Sequence, residues 1–157
     1  EALARVKIKM AENNKSEKTT FNKESESRIK KLSKKRVLIV DDAEENLDLM
    51  LEILSEYKRS VADNGEKAIQ IANSNRPPDI ILLDVMMPGM NGYEVCKRLK
   101  ASEQTKHIPI IFLTGKVDEE DESKGIELGA ADYIRKPVCP ENVQQIVKTF
   151  LFPKFSE

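Results

Sequence analysis

Ile80-Ile81-Leu82-Leu83-Asp84-Val85-Met86-Met87-Pro88-Gly89-Met90-Asn91-Gly92 is four consecutive aliphatics closed by a carboxylate, then a short segment broken by Pro and Gly. An apolar run this short, with such breakers behind it, reads as a strand buried on both faces. Asp84 then stands at the rim of a rigid element beside a loop. The same grammar recurs along the chain. Val37-Leu38-Ile39-Val40 ends in Asp41 and Asp42, Ile110-Ile111-Phe112-Leu113 ends in Thr114, and Tyr133-Ile134 runs through Arg135 to Lys136-Pro137. Four strands each deliver polar groups at their carboxyl ends, which predicts one site.

Between these strands the apolar period changes from strand-like to helical. Strand 37–41 is followed by an amphipathic helix near 44–56, with Leu47, Met50, Leu51 and Leu54 inward. A poor strand, 58–62, precedes the turn Asn64-Gly65 and a helix to about Ser74 marked by Ala68, Ile69 and Ala72. Strand 79–83 follows Pro77-Pro78; a helix from Tyr93 to Lys100, strand 109–113 and a helix near 118–128 come next. Gly129 stops that helix, and its acidic start suits the positive end of the helix dipole. Strand 131–135 and a helix from Pro140, at the favoured first turn, to Phe150 complete the pattern. Five strands alternating with five helices predict an α/β fold, a doubly wound parallel sheet with right-handed crossovers. Ligands of such sheets bind at the carboxyl ends of the strands, where Asp41, Asp42, Asp84, Thr114 and Lys136 all fall.

A chain of 157 residues is the length of one domain with a single core. Its net charge of −1 hides an asymmetry. Residues 1–35 carry 11 Lys and Arg against 5 Asp and Glu, whereas residues 36–152 carry 14 against 21. An acidic folded unit is not the footprint of a nucleic-acid binder. Residues 1–35 read as a basic linker or helical extension, residues 36–152 as the domain, and 153–157 as a tail. In residues 11–35, Phe21, Ile29 and Leu32 are the only large apolar side chains, too few to order the segment alone; Leu3, Val6 and Met10 share one helical face. Cys96, at helical spacing from Leu99, is expected in the core and Cys139 at the start of the last helix; neither has metal-ligand spacing. Reduced thiols, and no apolar stretch of membrane-spanning length or signal peptide, predict a cytoplasmic chain without membrane contact. The chain begins without Met and is expected to be a piece of something longer.

Three carboxylates converging on one pocket repel one another, and a hard divalent cation relieves them. Mg²⁺ is expected there, ligated directly by Asp42 and Asp84 and mainly through a water by Asp41, with the Met86 backbone carbonyl completing the protein's share. One Asp84 oxygen is then free to attack phosphorus in line and form an acyl phosphate. Lys136 supplies a mobile ammonium to the phosphoryl oxygens, in a turn fixed by Pro137 for which a cis peptide bond is expected. The Thr114 hydroxyl donates to the same oxygens, and Gly115 leaves room for them.

These motifs together resemble the receiver domain of two-component response regulators, from residue 36 to about 151. The resemblance implies the flavodoxin-like strand order 2-1-3-4-5. It implies Asp84 as phospho-acceptor, Asp41 and Asp42 as the acidic metal pair, Thr114 and Tyr133 as hydroxyl and aromatic switch residues, and Lys136 as the family's lysine. The donor it implies is a phosphohistidine on a sensor histidine kinase or histidine phosphotransfer protein, within a phosphorelay. Such a receiver catalyses its own phosphorylation and dephosphorylation rather than turning over a substrate, and Lys116 and Met86 fall where the family tunes dephosphorylation. Phosphorylation is expected to move Thr114, then Tyr133, and so change the face of helix 118–128, strand 131–135 and the last helix, through which a homodimer is expected. Ala2-Leu3-Ala4-Arg5-Val6-Lys7 is similar to the end of a receiver's last helix and implies a preceding domain. Two other readings compete. A pseudo-receiver that keeps the fold but not the phosphorylation is opposed by the intact acids and Lys136. A phosphatase with an aspartyl nucleophile wants a general acid two residues after it, where Asp41 has Ala43.

Overall fold

The four aliphatic runs form strands in a computed structural model that describes residues 23–115 and 119–153. The elements are β1 (Arg36–Val40), α1 (Glu44–Ile53), β2 (Lys58–Ala62), α2 (Gly65–Ala72), β3 (Ile80–Asp84), α3 (Gly92–Ala101), β4 (Ile110–Thr114), α4 (Glu119–Glu127), β5 (Asp132–Arg135) and α5 (Pro140–Leu151). All five strands pair in parallel in the order β2-β1-β3-β4-β5. The sheet is the flavodoxin-like arrangement that the resemblance implies.

Strand position explains strand composition. β3 and β4 are buried along their whole length and β1 at all but its first residue. β2 lies at an edge, paired only with β1, and its Lys58 and Arg59 are exposed. The polarity that makes 58–62 a poor strand is the polarity an edge requires. On one face Leu38, Val40, Ile81, Leu83, Ile110 and Phe112 pack with Ala68, Ala72, Val95, Cys96 and Leu99 of α2 and α3. On the other, α1 contacts β1 and α5 contacts β3 and α1. Each buried aliphatic contributes roughly 1.5–3 kcal/mol, so the central strands form a rigid floor under their carboxyl ends.

Helix ends correct the sequence reading by a turn. α1 stops at Ile53, where Leu54 leaves helical geometry. α2 stops at Ala72 because Asn73 Nδ2 donates to Ile69 O at 2.8 Å and Ser74 Oγ to Ile71 O at 2.7 Å, taking over its last carbonyls. Asn64-Gly65 is more than a turn: Asn64 caps α2, its Oδ1 accepting the Lys67 N–H at 2.9 Å. Cys139 is the N-cap residue of α5, with Pro140 behind it.

Contacts divide the chain into two units, Glu1–Lys34 and Lys35–Glu157. Of the first, residues 23–32 are helical and make a sixth helix among the described residues; Ile29 is exposed there. The expectations for residues 1–22, Lys116, Asp118 and 154–157 lie outside the described residues.

Tyr57, between α1 and β2, is buried, and its hydroxyl is the only buried side-chain polar atom among the described residues without a hydrogen-bond partner. Burial first, and Glu56 second, push its pKa up to about 12. Because the folded value lies above the unfolded value near 10, this group's contribution to stability is complete below pH 10 and lost as pH rises toward 12. Tyr57→Phe is expected to raise stability at pH 7 by about 1 kcal/mol, since an unpaired buried hydroxyl is costly, and to flatten the alkaline loss. Urea unfolding at pH 7 and pH 11 checks both.

Candidate functional site

The β-strand ends bring Asp41, Asp42, Asp84 and Lys136 together, as the sequence reading expects. β1 ends at Val40 beside β3, whose last residue is Asp84. The Asp41, Asp42 and Asp84 side chains offer carboxylate oxygens within 4.8 Å of one another. Asp41 and Asp84 are buried and Asp42 is exposed. Asp42 does not cap α1, since Ala43 is the N-cap residue and no side chain bonds there. Its freedom from that duty leaves its carboxylate for the pocket.

Lys136 Nζ reaches Asp41 Oδ2 at 2.9 Å and Asp84 Oδ1 at 3.2 Å. Burial works against its ammonium, but the bonds and charge of Asp41 and Asp84 outweigh it and hold the pKa above the ordinary lysine value. Burial raises the Asp84 pKa, opposed by Lys136 and reinforced by Asp41. The Lys136-Pro137 bond is cis, and the Lys136 N–H donates to Thr114 O at 2.8 Å. That bond ties the end of β5 to the end of β4 and places buried Thr114 beside the lysine's backbone.

The loop after β3 is built around Asp84. Met86 N–H makes a long bond, 3.4 Å, to Asp84 Oδ1, and the Met86 side chain is 61% exposed. Gly89 turns the chain at φ 74°. A side chain at Gly92 would stand 2.2 Å from the Asp84 carbonyl oxygen, so only glycine lets α3 start there; Asn91 Oδ1 caps it by accepting the Glu94 N–H at 3.0 Å.

Two features escape the sequence reading. Asn46, in the first turn of α1, donates through Nδ2 to Asp41 Oδ2 at 3.1 Å; its one signal is a position one turn beyond the acidic pair. The other lies at Tyr133, which is half-buried. The Glu122 carboxylate nearby raises the Tyr133 pKa and accepts Arg135 Nη2 at 2.9 Å. Arg135 first, and Tyr133 after it, hold the Glu122 pKa below its usual range. Beneath this clasp a cavity of about 10 Å³ is lined by Thr114, Phe112, Tyr93, Val85 and Gly125 among others. Tyr93 stacks edge-on to Phe112 at 5.3 Å and donates a long bond to Asp121 O. His107 is exposed.

The donors at the acid cluster are hard oxygens in close array, a set that fits Mg²⁺ better than a softer metal. A doubly wound sheet with three acids and a lysine at its carboxyl edge is the arrangement of a class of signalling domains, and the comparisons name that class. Residues 37–148 match the response regulator receiver domain. A probable cyclic di-GMP phosphodiesterase of Vibrio cholerae is 45% identical over 127 residues, 80% of this chain but only 29% of that protein. The Vibrio cholerae chemotaxis protein CheY4 is 30% identical with TM-score 0.70, covering 74% of this chain and 98% of that one. The receiver domain of the sensor histidine kinase PA1611 from Pseudomonas aeruginosa, solved with magnesium in its active-site cleft, is 26% identical with TM-score 0.68, covering 74% and 97%. The chain belongs to the response regulator receiver domain family of two-component systems. No helix among the described residues is long and apolar enough to cross a membrane.

Proposed function

We propose that residues 36–152 form a phosphorylatable receiver in which Asp84 takes a phosphoryl group from a phosphohistidine of a sensor histidine kinase or histidine phosphotransfer protein in the cytoplasm. The observation that carries this is the Lys136 ammonium shared by Asp41 and Asp84 inside a three-acid cluster. Asp41, Asp42, Asp84 and the Met86 carbonyl would hold Mg²⁺, which when bound supplies charge neutralisation for the acids and the phosphoryl oxygens.

This chain's own groups do the rest. The Lys136 ammonium and the Met86 N–H both meet Asp84 at Oδ1, which favours Oδ2 for the attack. The new O–P bond forms as the P–N bond to imidazole breaks, and the leaving imidazole nitrogen takes its proton from solvent water. Lys136 follows the negative charge onto the phosphoryl oxygens, and Thr114 donates its hydroxyl to them. The phosphoryl group brings about −1.5 to −2 of charge, enough to favour a rearrangement of Thr114 and then Tyr133. The surface that changes is that of α4, β5 and α5, where a homodimer would form. Incubation with Mg²⁺ and acetyl phosphate should add one phosphoryl mass increment. A folded protein that gains none, with or without Mg²⁺, is instead a pseudo-receiver.

The Glu122 clasp makes the switch testable. It ties Arg135 of β5, two residues after Tyr133, to α4, so Glu122→Ala is expected to favour the switched arrangement before phosphorylation, by about two- to fivefold for an exposed pair. Amide shifts of residues 130–135 should move toward their phosphorylated positions. Unmoved shifts would remove the clasp from the switch.

A further inference from the structure

We infer that Asn46 is a positioning residue that keeps Asp41 bonded while Lys136 transfers its ammonium to the phosphoryl group. The inference rests on the phosphoryl-acceptor reading above. Asp41 is 1% exposed, so bulk water cannot replace a donor that leaves it. Its Oδ1 accepts the Ala43 N–H at 2.9 Å. Its Oδ2 accepts two donors, Lys136 Nζ at 2.9 Å and Asn46 Nδ2 at 3.1 Å. Once Asp84 becomes an acyl phosphate, the strongest new acceptors are the phosphoryl oxygens, and the ammonium is drawn to them. Without Asn46, that movement would leave Oδ2 with no donor among the described side chains and dependent on the metal's shell alone, and a buried carboxylate oxygen short of donors is expensive. With Asn46 the oxygen stays satisfied.

The residue type suits the task. An amide donates without charge, so it neither repels the metal nor competes with Lys136 for the phosphoryl oxygens, as a second cation would. Its stem does not wander: Asn46 N–H bonds Ala43 O at 3.1 Å in the first turn of α1. The same Ala43 whose N–H holds Oδ1 therefore anchors the residue that holds Oδ2. The carboxylate is gripped on both oxygens by one turn of helix, and Lys136 alone is free to leave.

The test is a double-mutant cycle on the full chain, reading the rate of phosphoryl incorporation from acetyl phosphate at saturating Mg²⁺. Asn46→Ala is expected to slow incorporation about tenfold, and the same change in a Lys136→Ala background to slow it less than about twofold, because no ammonium then has to leave. Asn46→Ser, which keeps a donor on a shorter stem, should recover part of the rate, and the Mg²⁺ dissociation constant by calorimetry should move by less than about threefold in either variant. Equal slowing in both backgrounds, or no slowing, overturns the inference while leaving Asp84 as acceptor intact. A rate that falls only in step with thermal midpoint across the variants also overturns it. Failure of the unsubstituted protein to incorporate phosphate at all would instead sink the acceptor reading.

Discussion

Asp84→Asn is expected to abolish phosphoryl incorporation, lowering the rate from acetyl phosphate by at least about a thousandfold, because an amide oxygen is a far poorer nucleophile than a carboxylate. The same variant should remain folded. Burial is the leading influence on the Asp84 carboxyl and raises its pKa. A carboxyl whose folded pKa exceeds its unfolded one weakens folding as pH rises through that window, so at pH 7 a neutral side chain removes a penalty. In chelator, its thermal midpoint is therefore expected at or above that of the unsubstituted protein. Mass spectrometry after incubation reads the first outcome and calorimetry the second. Phosphate found on the Asp84→Asn protein would move the acceptor elsewhere.

Lys136→Ala is expected to have the largest effect on stability. It leaves Asp41 and Asp84, both buried, facing each other without the cation they share. Breaking a buried ion pair by removing one partner costs about 3–5 kcal/mol, and the partial exposure of Lys136 places this site near the lower end. In chelator the midpoint should fall by roughly 10 °C. Added Mg²⁺ should restore most of that loss and bind more tightly than to the unsubstituted protein, since it no longer competes with an ammonium for the same oxygens. Equal midpoints for the two proteins in chelator would mean that the lysine does not neutralise the acids.

The parts legible in the sequence share a physical cause. A strand buried on both faces must be aliphatic throughout, so β1, β3 and β4 stand out, and a polar residue ending each run has to lie at the rim. Asp41, Asp84 and Thr114 are legible for that reason. β2 is faint because an edge strand has only one paired side and keeps Lys58 and Arg59 in solvent. Helix ends are misplaced because side chains such as Asn73 and Ser74 take over carbonyls that the apolar period does not report. Asn46 is hidden because a half-buried amide in a first helical turn looks like any surface residue until its partner's position is known. The bond from Glu122 to Arg135 spans 13 residues of sequence and obeys no helical or strand period.

The tight seat of Gly92 against the Asp84 carbonyl has a consequence for how strain would spread. With no atom's width between them, and with Gly92 N–H bonded to Val85 O at 2.9 Å, the peptide following the acceptor and the head of α3 form one lever. Were residue 84 to become an acyl phosphate, its recoil would have no slack to dissipate in, and would be felt one residue further along, at the ring of Tyr93 whose hydroxyl bonds the Asp121 carbonyl of α4.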